Sequence, residues 1–205
     1  AQNFTTATDS YNTAVGFNAG DQITTGKENT LIGGSAGDAL QDADFNVAIG
    51  FQSLTTDTLG SRSVAIGYNA LATQNFTTAT GVQNSLLGGQ AGDALTSASN
   101  NVAIGYAALS AETTGFGSVA IGYATLNAQN VGGSAQTDNT AVGYNSGTSI
   151  ASATKNTALG SLALDAEVNG HRNTAIGYAA LTTQSFGTST DSYNTAVGAA
   201  AGFAV

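Results

Sequence analysis

The sequence predicts an all-β protein: a parallel β-solenoid (β-roll) of eleven coils with 17- or 21-residue repeats. A pentad that begins at Asn12 and ends at Gly16 recurs, with conservative changes, as far as Gly198. The steps between successive pentad glycines take only those two lengths, and the residue before each glycine is Val, Ile or Leu. A period below about 30 residues with so little variation is typical of a solenoid, in which each repeat forms one coil.

The coils are counted from the pentad glycines, and they define one domain. These glycines are Gly16, Gly33, Gly50, Gly67, Gly88, Gly105, Gly122, Gly143, Gly160, Gly177 and Gly198. Because each coil of a solenoid contacts only its neighbours, we expect residues 1–205 to form a single continuous repeat domain. At about 4.8 Å per coil, eleven coils would make a rod roughly 50 Å long. The longer steps predict long loops on one edge, once every three coils.

Composition argues against several classes of function. The chain has 4 basic and 13 acidic residues and a net charge of −9, which disfavours nucleic acid and anionic membranes as partners. No stretch approaches the roughly 18 apolar residues of a membrane helix, so we expect no membrane insertion. Cysteine is absent, which excludes disulfides and thiolate metal sites. Methionine is also absent, so we expect either a cleaved leader or a longer parent chain.

Each pentad alternates like a β-strand, so its residues point to two opposite sides. Thr13, Val15 and Phe17 share one side, and Asn12, Ala14 and Gly16 share the other. In a narrow coil we expect the bulky aliphatic side to fill the interior and the flat Ala/Gly side to approach another surface; the opposite assignment is the alternative. The expected core, here named the aliphatic column, is Val15, Ile32, Ile49, Ile66, Leu87, Ile104, Ile121, Val142, Leu159, Ile176 and Val197.

Two further columns follow from the repeat. The asparagine column, expected to form a ladder of stacked side-chain amides at a coil corner, is Asn12, Asn29, Asn46, Asn84, Asn101, Asn139, Asn156, Asn173 and Asn194. An aromatic residue follows the pentad glycine in seven coils: Phe17, Phe51, Tyr68, Tyr106, Tyr123, Tyr144 and Tyr178. We expect this aromatic column, and its tyrosines in particular, to pack at a corner or between chains; glycan binding is the alternative.

Catalysis is not expected. His171 is the sole histidine, and spacing identifies no serine or aspartate partner for it. Carboxylates that could pair as in glycosidases lie in variable connections and are expected to serve solubility; they are Glu28, Asp42, Asp44, Glu112 and Glu167. We therefore expect no enzyme and no required cofactor.

Two further hypotheses concern Ca²⁺ and glycosylation. Asp21 and Asp38 follow the same Ala-Gly turn on successive coils, so they could share Ca²⁺ with backbone carbonyls, although an aspartate that caps the turn is the preferred interpretation. Asn3 and Asn75 begin glycosylation sequons in equivalent long connections.

The pentads Asn46–Gly50, Ser63–Gly67 and Ser118–Gly122 resemble the SVAIG-type repeats of trimeric autotransporter adhesin heads, the YadA-like β-roll, and similar repeats of phage tail fibres. The resemblance implies short parallel strands stacked in a roll, three chains side by side, at a cell or virion surface. The adhesin repeat is shorter than either of the two steps in this chain, which implies a wider coil here. No neck, heptad stalk or membrane barrel is recognisable in the sequence.

We therefore expect a non-enzymatic extracellular structural protein. Ala1 aligns with Thr73, six residues past a pentad glycine, and Val205 lies seven past the last one, so one chain stops where the next could begin. This matching phase predicts head-to-tail stacking into a fibre, with lateral trimerisation as a further option. The alternative is a tail-fibre or adhesin segment that binds surface glycan through its long loops or its tyrosines.

Overall fold

The chain folds as a parallel β-solenoid of eleven coils. A computed structural model describes residues 9–203, and within that range every regular element is a β-strand, so no helix there could cross a membrane. The strands are β1 (Thr13–Val15), β2 (Thr30–Ile32), β3 (Val47–Ile49), β4 (Gly60–Ser61), β5 (Val64–Ile66), β6 (Thr80–Gly81), β7 (Ser85–Leu87), β8 (Val102–Ile104), β9 (Val119–Ile121), β10 (Thr140–Val142), β11 (Thr157–Leu159), β12 (Gly170–His171), β13 (Thr174–Ile176), β14 (Thr190–Asp191) and β15 (Thr195–Val197).

One sheet of eleven pentad strands runs the length of the described chain. Its order is β1-β2-β3-β5-β7-β8-β9-β10-β11-β13-β15, and every pairing is parallel. The register places the same pentad position opposite itself, as Val47 opposite Val64 and Ile49 opposite Ile66. The longer steps add a second contact between coils, seen as the pairs β4-β6 and β12-β14 and as the bridge between Phe116 and Gln136.

The interior lies on the opposite side of the sheet from the expected one. The aliphatic column is not buried at any of its positions, and Val15, Leu87 and Val197 are 57%, 47% and 67% exposed. The buried residues of the sheet are the central ones of each strand, such as Leu31 and Ala48. The predicted inward orientation of the aliphatic column is therefore wrong, and the alternative orientation is correct.

The physical reason is the wall that faces the sheet across the coil. That wall carries large side chains, and they are fully buried: Ile23, Leu40, Leu54, Leu71, Leu95, Leu109, Leu126, Ile150, Leu164 and Leu181. Protein interiors are close-packed, so in most coils a narrow interior takes a branched side chain from one wall only; where Leu31 and Leu86 stand at the strand centre, Gly37 and Gly92 make room beside them. Alanine at the strand centre leaves the space that these side chains occupy.

Two kinds of coil fill the interior in different ways. In one kind a leucine such as Leu54 stands four residues after the pentad glycine and is buried. In the other kind that place is glycine, and the buried aliphatic residue comes three residues later. A Cβ at Gly37, for example, would lie 2.8 Å from Cδ atoms of both Leu31 and Leu40. The glycine therefore makes room for the side chain that replaces the leucine.

The asparagine column lies inside a corner of the coil, and its hydrogen bonds run mainly to the backbone. Asn46 accepts at Oδ1 from the Ser63 N–H, 2.9 Å away, and donates from Nδ2 to the Gly60 carbonyl at 2.9 Å. The same two bonds recur at Asn101. This differs from the expected amide-to-amide ladder, because buried peptide groups at the corner need partners that the sheet does not supply. Direct amide contact occurs between Asn29 and Asn12, at 3.1 Å.

Asn101→Ala is expected to destabilise the protein by about 1–3 kcal/mol, because it leaves the Ser118 N–H and the Gly115 carbonyl buried without these partners. Chemical denaturation followed by far-ultraviolet circular dichroism measures the change. Asn75→Ala is the control, since Asn75 is exposed and its side chain contacts Thr58 at 3.3 Å. Equal losses for the two variants would contradict a structural role of the corner.

Candidate functional site

The outer face of the pentad sheet is an uncharged surface in every coil. The aliphatic column lies on it beside the first strand residues, which are Thr, Val or Ser. Large apolar side chains exposed in a continuous row are unusual on a monomer, where contiguous apolar patches rarely exceed a few hundred Å². Depletion of charge is also a feature of the centre of protein interfaces. We name this surface, together with the aromatic column, the apolar face.

The aromatic column continues the apolar face at the turn after each strand. The rings of Tyr106, Tyr123 and Tyr144 stack in sequence, with centroids 5.6 and 5.4 Å apart and interplanar angles of 18° and 13°. Phe51 and Tyr68 stack at 6.1 Å. All seven rings are exposed, from 49% at Tyr123 to 79% at Phe17. The rings therefore stack along the solenoid but leave their outer edges uncovered.

A second arrangement, which the pentad pattern did not indicate, lies in the interior under the long loops. Asp57, Glu112 and Glu167 are each completely buried, which corrects the expectation that Glu112 and Glu167 serve solubility at the surface. Each carboxylate accepts a hydrogen bond from a glutamine on the next coil, and that glutamine accepts one from an asparagine ten residues further on. The resulting acid–amide clusters are Asp57–Gln74–Asn84, Glu112–Gln129–Asn139 and Glu167–Gln184–Asn194.

The cluster at Glu167 shows what these carboxylates do. Oε1 accepts from the N–H groups of Val168, Asn169 and Gly170 at 2.9, 3.1 and 2.7 Å, and from the Phe186 N–H at 3.2 Å. Oε2 accepts from the Gln184 amide at 2.7 Å. A buried carboxylate is stable only when it is fully hydrogen-bonded, and neutral donors satisfy this one. The cluster therefore ties a long loop to the coil before it.

The signal in the sequence was the spacing. The three carboxylates recur at a constant interval of three coils, and so do their glutamines, which is the rhythm of the long steps. The pentad pattern does not reveal these carboxylates and glutamines, because they lie in the connections between pentads, whose other residues vary.

A polar cup lies where the third long loop, in the step from Gly177 to Gly198, meets the two coils before it. Thr154, His171, Arg172, Ser189 and Asp191 line an open cavity of about 350 Å³. His171 lies between two partners on neighbouring coils: its Nδ1 is 2.9 Å from the Thr154 backbone nitrogen, and its Nε2 is 2.6 Å from Ser189 Oγ. Arg172 forms an ion pair with Asp191, and its guanidinium lies over the Tyr193 ring, 5.4 Å from the centroid.

The geometry of the cup fixes the tautomer of His171. The Thr154 N–H is a donor, so Nδ1 is the acceptor and the ring proton sits on Nε2. Nε2 therefore donates to Ser189 Oγ, whereas a general base would have to accept the serine proton there. Spacing identified no serine partner for His171, and the structure brings Ser189 to it from the next coil. The hydrogen bond between His171 and Ser189 therefore runs in the opposite direction to the one between a serine nucleophile and its general base.

The aspartates proposed for Ca²⁺ lie on successive coils. Asp38 Oδ1 accepts from the Thr55 hydroxyl of the next coil at 2.6 Å, and Asp21 Oδ2 accepts from the Gln22 amide at 3.0 Å. The equivalent Asp93 has a pKa raised by burial, opposed in part by backbone hydrogen bonds. Within residues 9–203 no three His, Cys, Asp or Glu side chains come together in a way that could hold a metal ion. Asp38 thus bonds to the neighbouring coil, whereas Asp93 accepts from backbone N–H groups of its own turn, as a turn-capping aspartate does.

The remaining candidates lie at the surface. Asn75 is exposed on the first long loop, whereas Asn3 lies outside the described residues. Asp42 accepts from the Thr25 hydroxyl at 2.7 Å, and Asp44 accepts from the Lys27 N–H at 2.7 Å. Glu28 is exposed. Asp42 and Asp44 therefore each bond to a neighbouring coil.

Comparisons with protein-family models, with curated proteins and with solved structures found no match to this chain.

Proposed function

We propose that this chain is a non-enzymatic structural protein of an extracellular fibre, at a cell or virion surface, and that copies of it associate through the apolar face. The observation that carries the proposal is the extent of that face. With about 150–250 Å² per aromatic side chain, and roughly half of each ring exposed, the seven rings alone present about 700 Å². A stable interface takes about 800 Å² from each partner, and the aliphatic column adds to the aromatic area.

The occupant of the face is another copy of this chain. An uncharged and repetitive apolar surface can pack against an identical surface laid beside it, and the net charge of −9 resides elsewhere on the molecule. Three copies is the number implied by the resemblance to YadA-like adhesin heads and phage tail fibres. The same resemblance supports the extracellular location.

Stacking of coils end to end is the second part of the proposal. Every coil pairs with the next in the same parallel register, so the outer edges of β1 and β15, the first and last strands described, offer the two halves of one more such pairing. Ala14 at the centre of β1 is exposed, whereas its equivalents in later strands are buried. A coil of a second copy on that edge would bury Ala14 and satisfy the strand edge, which otherwise favours uncontrolled pairing.

Substitution of two isoleucines of the apolar face by glutamate tests the lateral contact. Ile104→Glu with Ile121→Glu is expected to convert an oligomer into monomers, because an interface would have to bury two unpaired charges. Sedimentation velocity over a concentration series measures the change. The control is Gln41→Glu with Ser97→Glu, which adds the same charge at exposed positions off this face. A wild-type chain that stays monomeric at every concentration, or a control pair with the same effect, would contradict the proposal.

Electron microscopy of the same samples tests end-to-end stacking separately. Unbranched filaments that persist, but become thinner, in the double-glutamate variant would support both contacts. Discrete rods at all concentrations would exclude coil stacking and leave lateral association alone.

A second candidate function is recognition of surface glycan along the tyrosines of the aromatic column. The row of Tyr106, Tyr123 and Tyr144 favours it, because the rings stack on one another but stay half exposed, and each tyrosine offers an apolar ring edge together with a hydroxyl that can hydrogen-bond. It requires that the rings stay accessible in the assembled protein. Association through the apolar face would cover them, so the sedimentation experiment also separates these two functions.

A further inference from the structure

The polar cup is a place where the chain departs from its own repeat. Three long loops occupy equivalent positions, three coils apart, but only the third combines a histidine with an arginine–aspartate pair there; the first has an arginine, Arg62, at the place of Arg172. The positions of His171, Ser189 and Asp191 are held by Ser61, Ala79 and Gly81 in the first loop and by Phe116, Ser134 and Gln136 in the second. In repeat proteins, changes confined to the loops of one face mark binding surfaces. The cup beside the third loop therefore combines hydrogen-bonding groups that the other two loops do not bring together.

These groups retain bonding capacity after their contacts within the protein. Arg172 uses Nη1 for both Asp191 and the Tyr193 hydroxyl, the latter at 3.3 Å. The ion pair joins Arg172 Nη1 to Asp191 Oδ2, and both side chains are substantially exposed, so the pair remains accessible to a ligand. A planar guanidinium beside a carboxylate presents donors and acceptors side by side. The cup can therefore bind a ligand that both donates and accepts.

The charges of the cup exclude other classes of ligand. The ion pair of Arg172 with Asp191 leaves no uncompensated positive charge, and the whole chain carries −9, so an anion is disfavoured. One carboxylate next to a guanidinium is a poor cation site, since hard cations such as Ca²⁺ need several carboxylate or carbonyl ligands. A neutral, polyhydroxylated molecule fits this balance of charge and supplies both donors and acceptors.

We propose that the cup formed by Thr154, His171, Arg172, Ser189 and Asp191 binds a neutral saccharide. Adjacent hydroxyls of a sugar ring bridge the Asp191 carboxylate and the Arg172 guanidinium, and a further hydroxyl reaches Ser189. The exposed ring of Tyr193 supplies an apolar edge beside them. The cavity of about 350 Å³ falls in the range of small-molecule sites, which begins near about 300 Å³. None of its residues belongs to the apolar face, so lateral association leaves the site open.

The sole histidine makes the test direct. His171 lines the cup, so the imidazole C–H resonances in a proton NMR spectrum report on this site alone. The probes are oligosaccharides of glucose, mannose, galactose and N-acetylglucosamine, with lactose and sialyllactose as a neutral and anionic pair, at constant pH. The expected result is a saturable shift of the His171 resonances with at least one neutral probe. No shift with any neutral probe at tens of millimolar, or a shift with sialyllactose alone, would overturn the proposal.

Variants drawn from the other loops provide matched tests. Asp191→Gln and Ser189→Ala install residues that the chain itself carries at the equivalent places, Gln136 and Ala79, so the fold should tolerate them. We expect each to weaken saccharide binding at least tenfold. Gln136→Ala, at the equivalent exposed place in the second loop, should leave binding at the cup unchanged. Equal affinity in wild type and Asp191→Gln would refute the site, whereas loss of filaments or oligomers with binding intact would refute the fibre function alone.

Discussion

Gly143→Ala is expected to be among the most destabilising single changes in this protein, with a loss of about 2–6 kcal/mol from two effects that add. The φ of Gly143 is +138°, a conformation that residues with a side chain rarely adopt, at a strain of about 1–3 kcal/mol. A Cβ there would also lie 2.6 Å from the carbonyl carbon and oxygen of Gly160 and 2.9 Å from the Ser161 nitrogen. Overpacking against backbone that cannot move adds about 1–3 kcal/mol.

Thermal and denaturant unfolding measure this loss. The control is Gly132→Ala, because a Cβ at Gly132 would meet no atom within 4 Å. That variant is expected to unfold within about 0.5 kcal/mol of the wild type, as most surface substitutions do. If Gly143→Ala were equally mild, the close approach of successive coils at the pentad glycine would be wrong. The contact recurs from coil to coil, so the result bears on the whole solenoid.

Glu167→Ala is expected to cost several kcal/mol, the second of the two largest effects. The change leaves four backbone N–H groups and the Gln184 amide without their acceptor in the interior. Each buried donor without a partner costs about 1–3 kcal/mol, and water that enters the cavity offsets part of the sum. The measurement is denaturant unfolding, together with limited proteolysis of the third long loop, which the cluster holds in place.

An exchange of the two side chains separates hydrogen bonding from packing. Glu167→Gln alone keeps an acceptor for the backbone but brings its new amide against the amide of Gln184, which cannot turn without losing the bond from Asn194 at 2.7 Å. Adding Gln184→Glu restores an acceptor both for the amide introduced at position 167 and for Asn194. We therefore expect the double variant to recover most of the stability lost by Glu167→Gln. A double variant no more stable than the single one would disprove the proposed direction of these hydrogen bonds.

The sequence could not predict which side of the pentad strand faces the interior, for a specific physical reason. A period of two shows that Ala48 and Ile49 point to opposite sides, but it does not say which side is the interior. Hydrophobicity favoured Ile49, and the structure buries Ala48. The side chain that decides the orientation is Leu54, on the opposite wall of the coil. The distance between the two walls cannot be read from the alternation of apolar residues along either wall.

The acid–amide clusters and the polar cup were missed for a related reason. Glu167 and Gln184 lie on successive coils and become neighbours only when the coils are stacked, as do His171 and Ser189. The spacing was visible, but a buried carboxylate cannot be told from a solvated one by spacing. Burial depends on the loop that folds over it.

The sequence by itself determined the features that repeat along the axis of the solenoid. The period of the pentad set the number of coils and their parallel register, and the longer steps set where the longer connections occur, because a solenoid repeats along its axis as the chain repeats along its length. Only the tertiary structure decided what depends on the cross-section: the face that is buried, the carboxylates that are enclosed and the side chains that meet in the cup. Those outcomes follow from distances between walls of the coil, and such distances arise only when the chain closes around its core.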